Sequence, residues 1–131
     1  MTSVAKPKLK LLATKFAVWK TGKETPTGDL KVFALIAEEN VNTVIGSREQ
    51  SLPDALEKSD DWCAIKLDTV LDMSESGILN AVTAPLAAAG ISILAISSFD
   101  TDYLFVGNDD IGKAIEVLRA AGYELSDEGA G

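Results

Sequence analysis

The order of predicted elements in residues 61–125 constrains the fold more than any other feature of this chain. Apolar residues alternate or run together in four short segments, and they recur at spacings of three and four in two longer ones. These segments are, in chain order, strand 62–67, a helix from 74 to 90, strands 91–98 and 103–106, a helix ending at Gly122, and strand 123–125. The order βαββαβ predicts an antiparallel sheet with both helices on one face.

The two predicted helices have start signals and apolar stripes. Ser74 can cap the first helix, with Glu75 at the positive end of its dipole, and Asn108 or Asp109 can cap the second. The stripes are Ile78, Val82, Leu86 and Ala89 in the first helix and Ile111, Ile115, Leu118 and Ala121 in the second. Strand 91–98 is apolar on both faces, which predicts an interior position in the sheet.

The first half of the chain is predicted to be mostly strand. Segment 9–20 has the pattern of one or two strands, and 31–37 with 41–46 has the pattern of a β-hairpin. A helix over 31–39 is the alternative, because a short run of apolar residues fits both the helical and the strand repeat. The polar segment 47–61 is interpreted as the connection between the two halves.

Composition limits the partners of this chain. The 131 residues include 12 basic and 20 acidic side chains, a net charge of −8, whereas a nucleic-acid binder needs clustered positive charge. No stretch approaches ~20 apolar residues, and no signal-peptide pattern precedes the first strand. The single cysteine, Cys63, favours a reducing compartment. We therefore expect a cytoplasmic protein with neither a nucleic-acid nor a membrane partner.

The residue inventory also limits the chemistry. Histidine is absent, and one cysteine cannot form a zinc site, so we expect no metal and no cofactor. Two pairs of carboxylates, Asp100 with Asp102 and Asp109 with Asp110, are candidates for acid–base catalysis or Mg²⁺ binding. Turn formation and helix dipoles explain such pairs more simply. A binding protein is therefore expected rather than an enzyme.

Four segments together form a recognisable pattern: strand 62–67, the Ser-Gly-Ile-Leu stretch 76–79, the Pro-Leu-Ala-Ala-Ala-Gly-Ile stretch 85–91, and 96–106. These segments resemble the ACT domain family, in particular a branch of small tandem-ACT proteins and cytosolic arginine sensors. They resemble aspartate kinase regulatory domains more distantly. The resemblance covers about half of the chain.

This resemblance implies an α+β fold in which a ferredoxin-like βαββαβ repeat forms the C-terminal half. A reduced, mostly β ACT-like repeat precedes it, and both have antiparallel sheets. The expected divisions are a disordered N-terminus 1–8, the reduced repeat 9–56, the ACT domain 57–125 and a disordered tail 126–131.

The resemblance further implies regulation by an amino acid bound at an interface between units, coupled to self-association or to a protein partner. The residues that match ligand-contacting positions are Ser76, Gly77, Ile78, Ser98, Phe99, Thr101 and Asp102. A helix start favours a carboxylate, and an aspartate favours an ammonium or guanidinium group. The simpler alternatives are a plain helix cap and an aspartate that stabilises its own turn. A ligand-free interaction module is the alternative function.

Two tryptophans are candidates for an association surface. Trp19 and Trp62 are predicted on the sheet face opposite the helices, where exposed apolar side chains would favour a homodimer or another partner. The alternative is that the connection 47–61 folds over this face.

Overall fold

The computed structural model describes residues 6–68 and 77–128. Its contacts divide the chain into two compact units. The first, called the helical unit, comprises residues up to Ala13 together with those from Cys63 onward, and the second, the strand unit, comprises Thr14–Trp62. Strands β1 (Leu9–Gly22) and β4 (Glu57–Leu67) each contribute residues to both units. The expected domain boundary between residues 56 and 57 stays a prediction.

The helical unit mixes helices and strands, which confirms the α+β class. After β4 come α1 (Ile78–Ala88), β5 (Ile93–Ser97), β6 (Asp102–Gly107), α2 (Ile111–Ala120) and β7 (Leu125–Asp127). The strand order in this unit is β7-β1-β4-β6-β5. The β5–β6 pair is antiparallel as expected, but β7 pairs with β1 in parallel. The description as a tandem ferredoxin-like repeat stays a prediction.

The predicted apolar stripes pack into the core of the helical unit, except that Ala114 takes the place of Ile115 in the second one. Val82 and Leu86 of α1 and Ala114 and Leu118 of α2 are fully buried. The strands contribute Leu9, Ile65, Leu67, Leu104 and Val106 to the same cluster. Burying a side chain such as Leu86 stabilises the fold by about 1.5–3 kcal/mol. Neither helix in the described residues has the length and hydropathy that crossing a membrane requires.

Glycine ends both helices, as the sequence predicts. At the end of α1, Gly90 has φ of +75°, a left-handed conformation that glycine adopts without strain. The Gly90 N–H donates to Ala87 O and the Ile91 N–H donates to Leu86 O, both at 3.0 Å. These two bonds form a Schellman motif, with the buried side chains of Leu86 and Ile91 beside it.

The predicted helix starts are wrong. Helix α1 begins at Ile78 with Gly77 as its N-cap, so the cap is not Ser74, which lies outside the described residues. Helix α2 has Asp110 as its N-cap instead of Asn108 or Asp109. The Asp110 N–H donates to Gly107 O at 2.9 Å, so a turn after β6 delays the helix until Ile111.

Two strand predictions also need correction. Strand β5 ends the strand order and is not interior, because β6 lies between it and β4. Its side chains are accordingly half-buried or exposed. The last strand spans Leu125–Asp127 and not 123–125, so pairing with β1 extends into the segment expected to be disordered.

The strand unit contains the predicted β-hairpin. Strands β2 (Val32–Ala37) and β3 (Val41–Ser47) pair antiparallel, and the strand order is β2-β3-β1-β4. The Glu38 N–H donates to Val41 O at 3.0 Å and closes the turn. The alternative of a helix over 31–39 is therefore wrong. Strand β4 begins at Glu57, so the connection after β3 is shorter than predicted.

Candidate functional site

The turn between β5 and β6 holds four of the predicted ligand-contacting residues and closes on itself. Ser97 pairs with Asp102 across the hairpin, and the Ser98 N–H donates to Thr101 O at 2.8 Å. The Ser98 hydroxyl also donates to Thr101 O at 2.8 Å and accepts from the Thr101 N–H at 3.2 Å. The Ser98 side chain therefore stabilises the turn itself.

Thr101 connects this turn to the end of β4. Its hydroxyl donates a 2.6 Å hydrogen bond to the Leu67 carbonyl, and the residue is 6% exposed. This bond gives the Thr101 hydroxyl a structural role, and contact between its side chain and a ligand stays a prediction. The bond holds the turn at the point where β4 ends.

Unlike the buried Thr101, the other residues of this turn are exposed or half-buried. The Phe99 side chain is 84% exposed, which is unusual for an aromatic ring in a folded domain. Asp102 is half-buried as the first residue of β6. The turn therefore presents the aromatic ring of Phe99 and the carboxylates of Asp100 and Asp102 to solvent.

The start of α1 holds the other predicted ligand-contacting residues. Ser76 lies outside the described residues. Gly77 has φ of +87°, and a Cβ at this position would meet nothing within 4 Å. Glycine is therefore needed here for its backbone conformation and not for close packing against a neighbour.

The first turn of α1 offers backbone donors. The Ala81 N–H donates to Gly77 O at 2.9 Å, so the N–H groups of the three preceding helical residues have no acceptor within the helix. Ile78 packs its side chain against the core, which leaves its backbone as the part that can contact a ligand. Such donors favour an anionic group.

The two tryptophans have different environments. Trp19 is 1% exposed in a cluster with Ala17 and Val44, and Leu30, Leu52 and Ala55 cover it. The prediction that Trp19 belongs to an exposed association surface is therefore wrong, because the connection folds over it. Trp62 is half-buried, and its indole N–H donates to the Ser59 hydroxyl at 2.9 Å. The role of Trp62 in association stays a prediction.

Sequence reasoning missed two open grooves in the strand unit. One, of about 390 Å³, lies between residues 26–30 and 50–54. The other, of about 280 Å³, is lined by residues including Trp19 and Lys58, whose Nζ lies 5.6 Å from the centre of a Trp19 ring. The Pro- and Gly-containing loop after β1 was the available signal for the first groove.

The side chain of Cys63 has a hydrogen-bonding partner within the helical unit. Cys63 is buried, and its Sγ lies 3.4 Å from the Asn108 side-chain oxygen. Within residues 6–68 and 77–128, no group of three or more Cys, Asp or Glu side chains is placed to hold a metal ion.

Sequence comparison agrees with the predicted resemblance. Residues 57–120 match the ACT domain family, a range that includes the start of α1 and the β5–β6 turn. The human cytosolic arginine sensor for mTORC1 subunit 1 is 47% identical over 49 residues. Those residues are 37% of this chain and 15% of the length of the sensor, and the sensor from Bos taurus matches equally well.

Comparison with solved structures supports the fold over most of the chain. A crystal structure of an Agrobacterium tumefaciens protein has a TM-score of 0.84 at 25% identity and covers 95% of this chain and 96% of its own. The ligand-free regulatory subunit of aspartate kinase from Thermus thermophilus has a TM-score of 0.63 at 11% identity. It covers 90% of this chain and 99% of its own, and at this identity it shows the fold alone.

Proposed function

Because residues 57–120 match the ACT domain family, we propose that this protein is a regulatory protein that binds a free amino acid. Occupancy of the site changes its association with itself or with a protein partner. The protein acts by binding and not by catalysis. A cytoplasmic location is part of the proposal, supported by the name of the similar arginine sensor.

One observation carries the proposal. The ACT match spans both the start of α1 and the β5–β6 turn, which the Thr101–Leu67 hydrogen bond holds at the end of β4. A turn anchored in this way keeps Phe99 and Asp102 in a defined place. Binding then requires little ordering of the chain, which would otherwise oppose it.

The available groups suit the two ends of an amino acid. Backbone N–H groups at the start of α1 favour the α-carboxylate. The Asp102 carboxylate favours an ammonium or guanidinium group, because a hydrogen bond between charged partners is stronger than a neutral one. Arginine carries all three of these groups, and the similar human protein is named as an arginine sensor, so arginine is the first ligand to test.

The experiment is a thermal-unfolding titration of the full chain with each of the common amino acids, arginine first. A ligand that binds only the folded state adds about 2.7 kcal/mol at a hundred times its Kd. We expect a rise in Tm that saturates with one amino acid. A folded protein whose Tm stays constant with every amino acid at millimolar concentration would overturn the proposal.

Matched variants locate the site. Asp102→Asn should abolish or greatly reduce the rise in Tm, because it removes the carboxylate that we propose binds the cationic group of the ligand. Asp109→Asn removes the same charge from an exposed residue next to α2 and should leave the rise unchanged. An equal rise in Tm in the two variants would show that the amino acid does not bind at Asp102.

Regulation requires that the ligand bind two association states unequally. Sedimentation velocity with and without the stabilising amino acid measures this directly. We expect the weight-average sedimentation coefficient, or the affinity for a partner, to change at saturation. If the distribution of sedimentation coefficients is the same with and without the amino acid, ligand binding is not coupled to association.

The second candidate is a ligand-free interaction module, which the exposure of Phe99 favours. In that case a stable complex should form equally well with and without amino acids. The complex should be lost in Phe99→Ala if the β5–β6 turn is the contact surface. It should be lost in Trp62→Ala if the sheet face predicted to carry Trp62 is the contact surface. Loss of the complex only when an amino acid is removed would favour the sensor.

A further inference from the structure

Strand β2 is an apolar strand at the edge of the strand unit. It ends the strand order and contains no charged residue and no proline in its sequence Val-Phe-Ala-Leu-Ile-Ala. Among the described residues, six large hydrophobic side chains are exposed, and four of them belong to β2. Soluble proteins usually protect such an edge with charges or proline, because it offers unpaired backbone groups to another chain.

Leu35 and Ile36 are the central exposed side chains of this edge, at 55% and 44% exposure. Phe33, in contrast, packs edge-to-face against Phe16 with 5.2 Å between ring centres. The register with β3 shifts between Val32 and Ala34, so the irregular part of β2 is confined to its beginning. From Ala34 onward, the strand is regular.

The hairpin register shows which backbone groups point outward. The Glu38 N–H donates to Val41 O, so these two residues form a hydrogen-bonded pair. Such pairs alternate along an antiparallel ladder, and Leu35 and Ala37 fall on the positions in between. Their N–H and C=O groups therefore point away from β3.

The residues that flank β2 carry opposite charges. Lys31 precedes the strand, Glu38 and Glu39 follow it, and all three are exposed. An antiparallel copy of the same segment would place each Lys31 beside the acidic pair of the other copy. A parallel copy would place like charges together, which is unfavourable.

We propose that a second copy of this chain pairs with β2 in antiparallel orientation, about a two-fold axis at Leu35. This register pairs outward-facing residues with each other, as an antiparallel ladder requires: Leu35 opposes its own copy. It also brings Lys31 beside Glu38 and Glu39 of the other copy. A single self-complementary surface produces a closed dimer.

This inference is independent of the proposed amino-acid site. Strand β2 belongs to the strand unit, whereas the proposed ligand contacts belong to the helical unit. The dimer is therefore expected without any ligand. Failure to dimerise would leave the thermal-unfolding result for amino acids intact, and failure to bind an amino acid would leave the dimer intact.

The first test is sedimentation equilibrium of the full chain without ligand. We expect a mass about twice the 13.8 kDa of one chain, and a monomer for Leu35→Lys. Leu56→Lys is the matched control, because Leu56 is 60% exposed but lies outside β2, and it should remain dimeric. Circular dichroism verifies folding. A monomeric wild-type chain, or a dimeric Leu35→Lys variant, would overturn the proposal.

A charge exchange tests the orientation. Lys31→Glu and Glu39→Lys should each weaken the dimer by roughly 2- to 30-fold, the range for two exposed ion pairs. The double variant restores opposite charges at both sites and should regain most of the affinity. A double variant no tighter than either single variant would exclude this arrangement.

A cross-link tests the axis. Hydrogen-bonded antiparallel partners have Cα atoms about 5.5 Å apart, within disulfide range. Leu35→Cys should therefore form a disulfide-linked dimer on mild oxidation, whereas Leu56→Cys should not. The native Cys63 is buried, so the wild-type chain should remain unlinked. A monomeric oxidised Leu35→Cys variant would place the axis elsewhere.

Discussion

The hydroxyl of Thr101 and the carbonyl of Leu67 are joined by a buried hydrogen bond of 2.6 Å. The two residues lie 34 positions apart in the chain, so the bond connects the end of β4 to the β5–β6 turn. Local turn chemistry, in which Ser98 bonds to Thr101, forms the bend. The long-range bond then sets its position, and with it the places of Phe99 and Asp102.

Removal of this hydrogen bond should destabilise the protein. Thr101→Val keeps the size of the side chain but leaves the buried Leu67 carbonyl without this donor, which costs about 1–3 kcal/mol. Thr101→Ser retains the hydroxyl and should lose less. Urea denaturation followed by circular dichroism measures both. If the valine variant is at least as stable as wild type, the bond does not anchor the turn.

The two tryptophans should differ sharply in their contributions to stability. Trp19→Ala leaves a cavity under Leu30, Leu52 and Ala55 and should reduce the free energy of unfolding by about 3–5 kcal/mol. Trp62→Ala should cost clearly less, because Trp62 is only half-buried. Denaturation followed by far-ultraviolet circular dichroism compares them. Equal losses would contradict the burial of Trp19.

Stability should decline at alkaline pH because of Tyr123. Burial raises the pKa of the Tyr123 hydroxyl above its ordinary value of 10.0. The folded state therefore retains a proton that the unfolded chain releases above about pH 10. This contribution is fully present below pH 10 and is lost as the pH rises through the folded-state pKa.

Tyr123→Phe is the matched variant, because it keeps the ring and its contact with Lys6, whose Nζ lies 5.0 Å from the ring centre. Its free energy of unfolding should fall less than that of wild type between about pH 9 and about pH 11. Denaturant titrations at several pH values provide the comparison. Parallel curves for the two proteins would show that Tyr123 does not contribute.

Glycine-to-alanine substitutions should have opposite effects at two positions. Gly90→Ala places a side chain at φ of +75° and should cost about 1–2 kcal/mol. Gly112→Ala lies inside α2, where an added Cβ meets nothing within 4 Å, and should stabilise by about 0.4–1 kcal/mol. Thermal unfolding monitors both variants. A stabilising Gly90→Ala would contradict the left-handed helix end.

The sequence could locate the turn that holds the candidate ligand contacts, but not which of its side chains are buried and which are exposed. The Ser98–Asp102 turn follows from polar residues between two apolar runs, and the structure has it there. The different roles of its side chains depend on a distant partner, because the buried Thr101 hydroxyl bonds to Leu67, 34 positions away. The exposure of Phe99 likewise depends on whether a remote segment packs against its ring, which the local sequence does not show.

The sequence by itself determined the features that depend on near neighbours. The stripes containing Val82 and Leu118, the hairpin at 32–47 and the helix stop at Gly90 all follow from spacing or turn chemistry within a few residues. Only the tertiary structure decided the burial of Trp19 and the edge position of β5. Both depend on which remote segment packs against a surface, and the local pattern of apolar residues is the same whether that surface is covered or open.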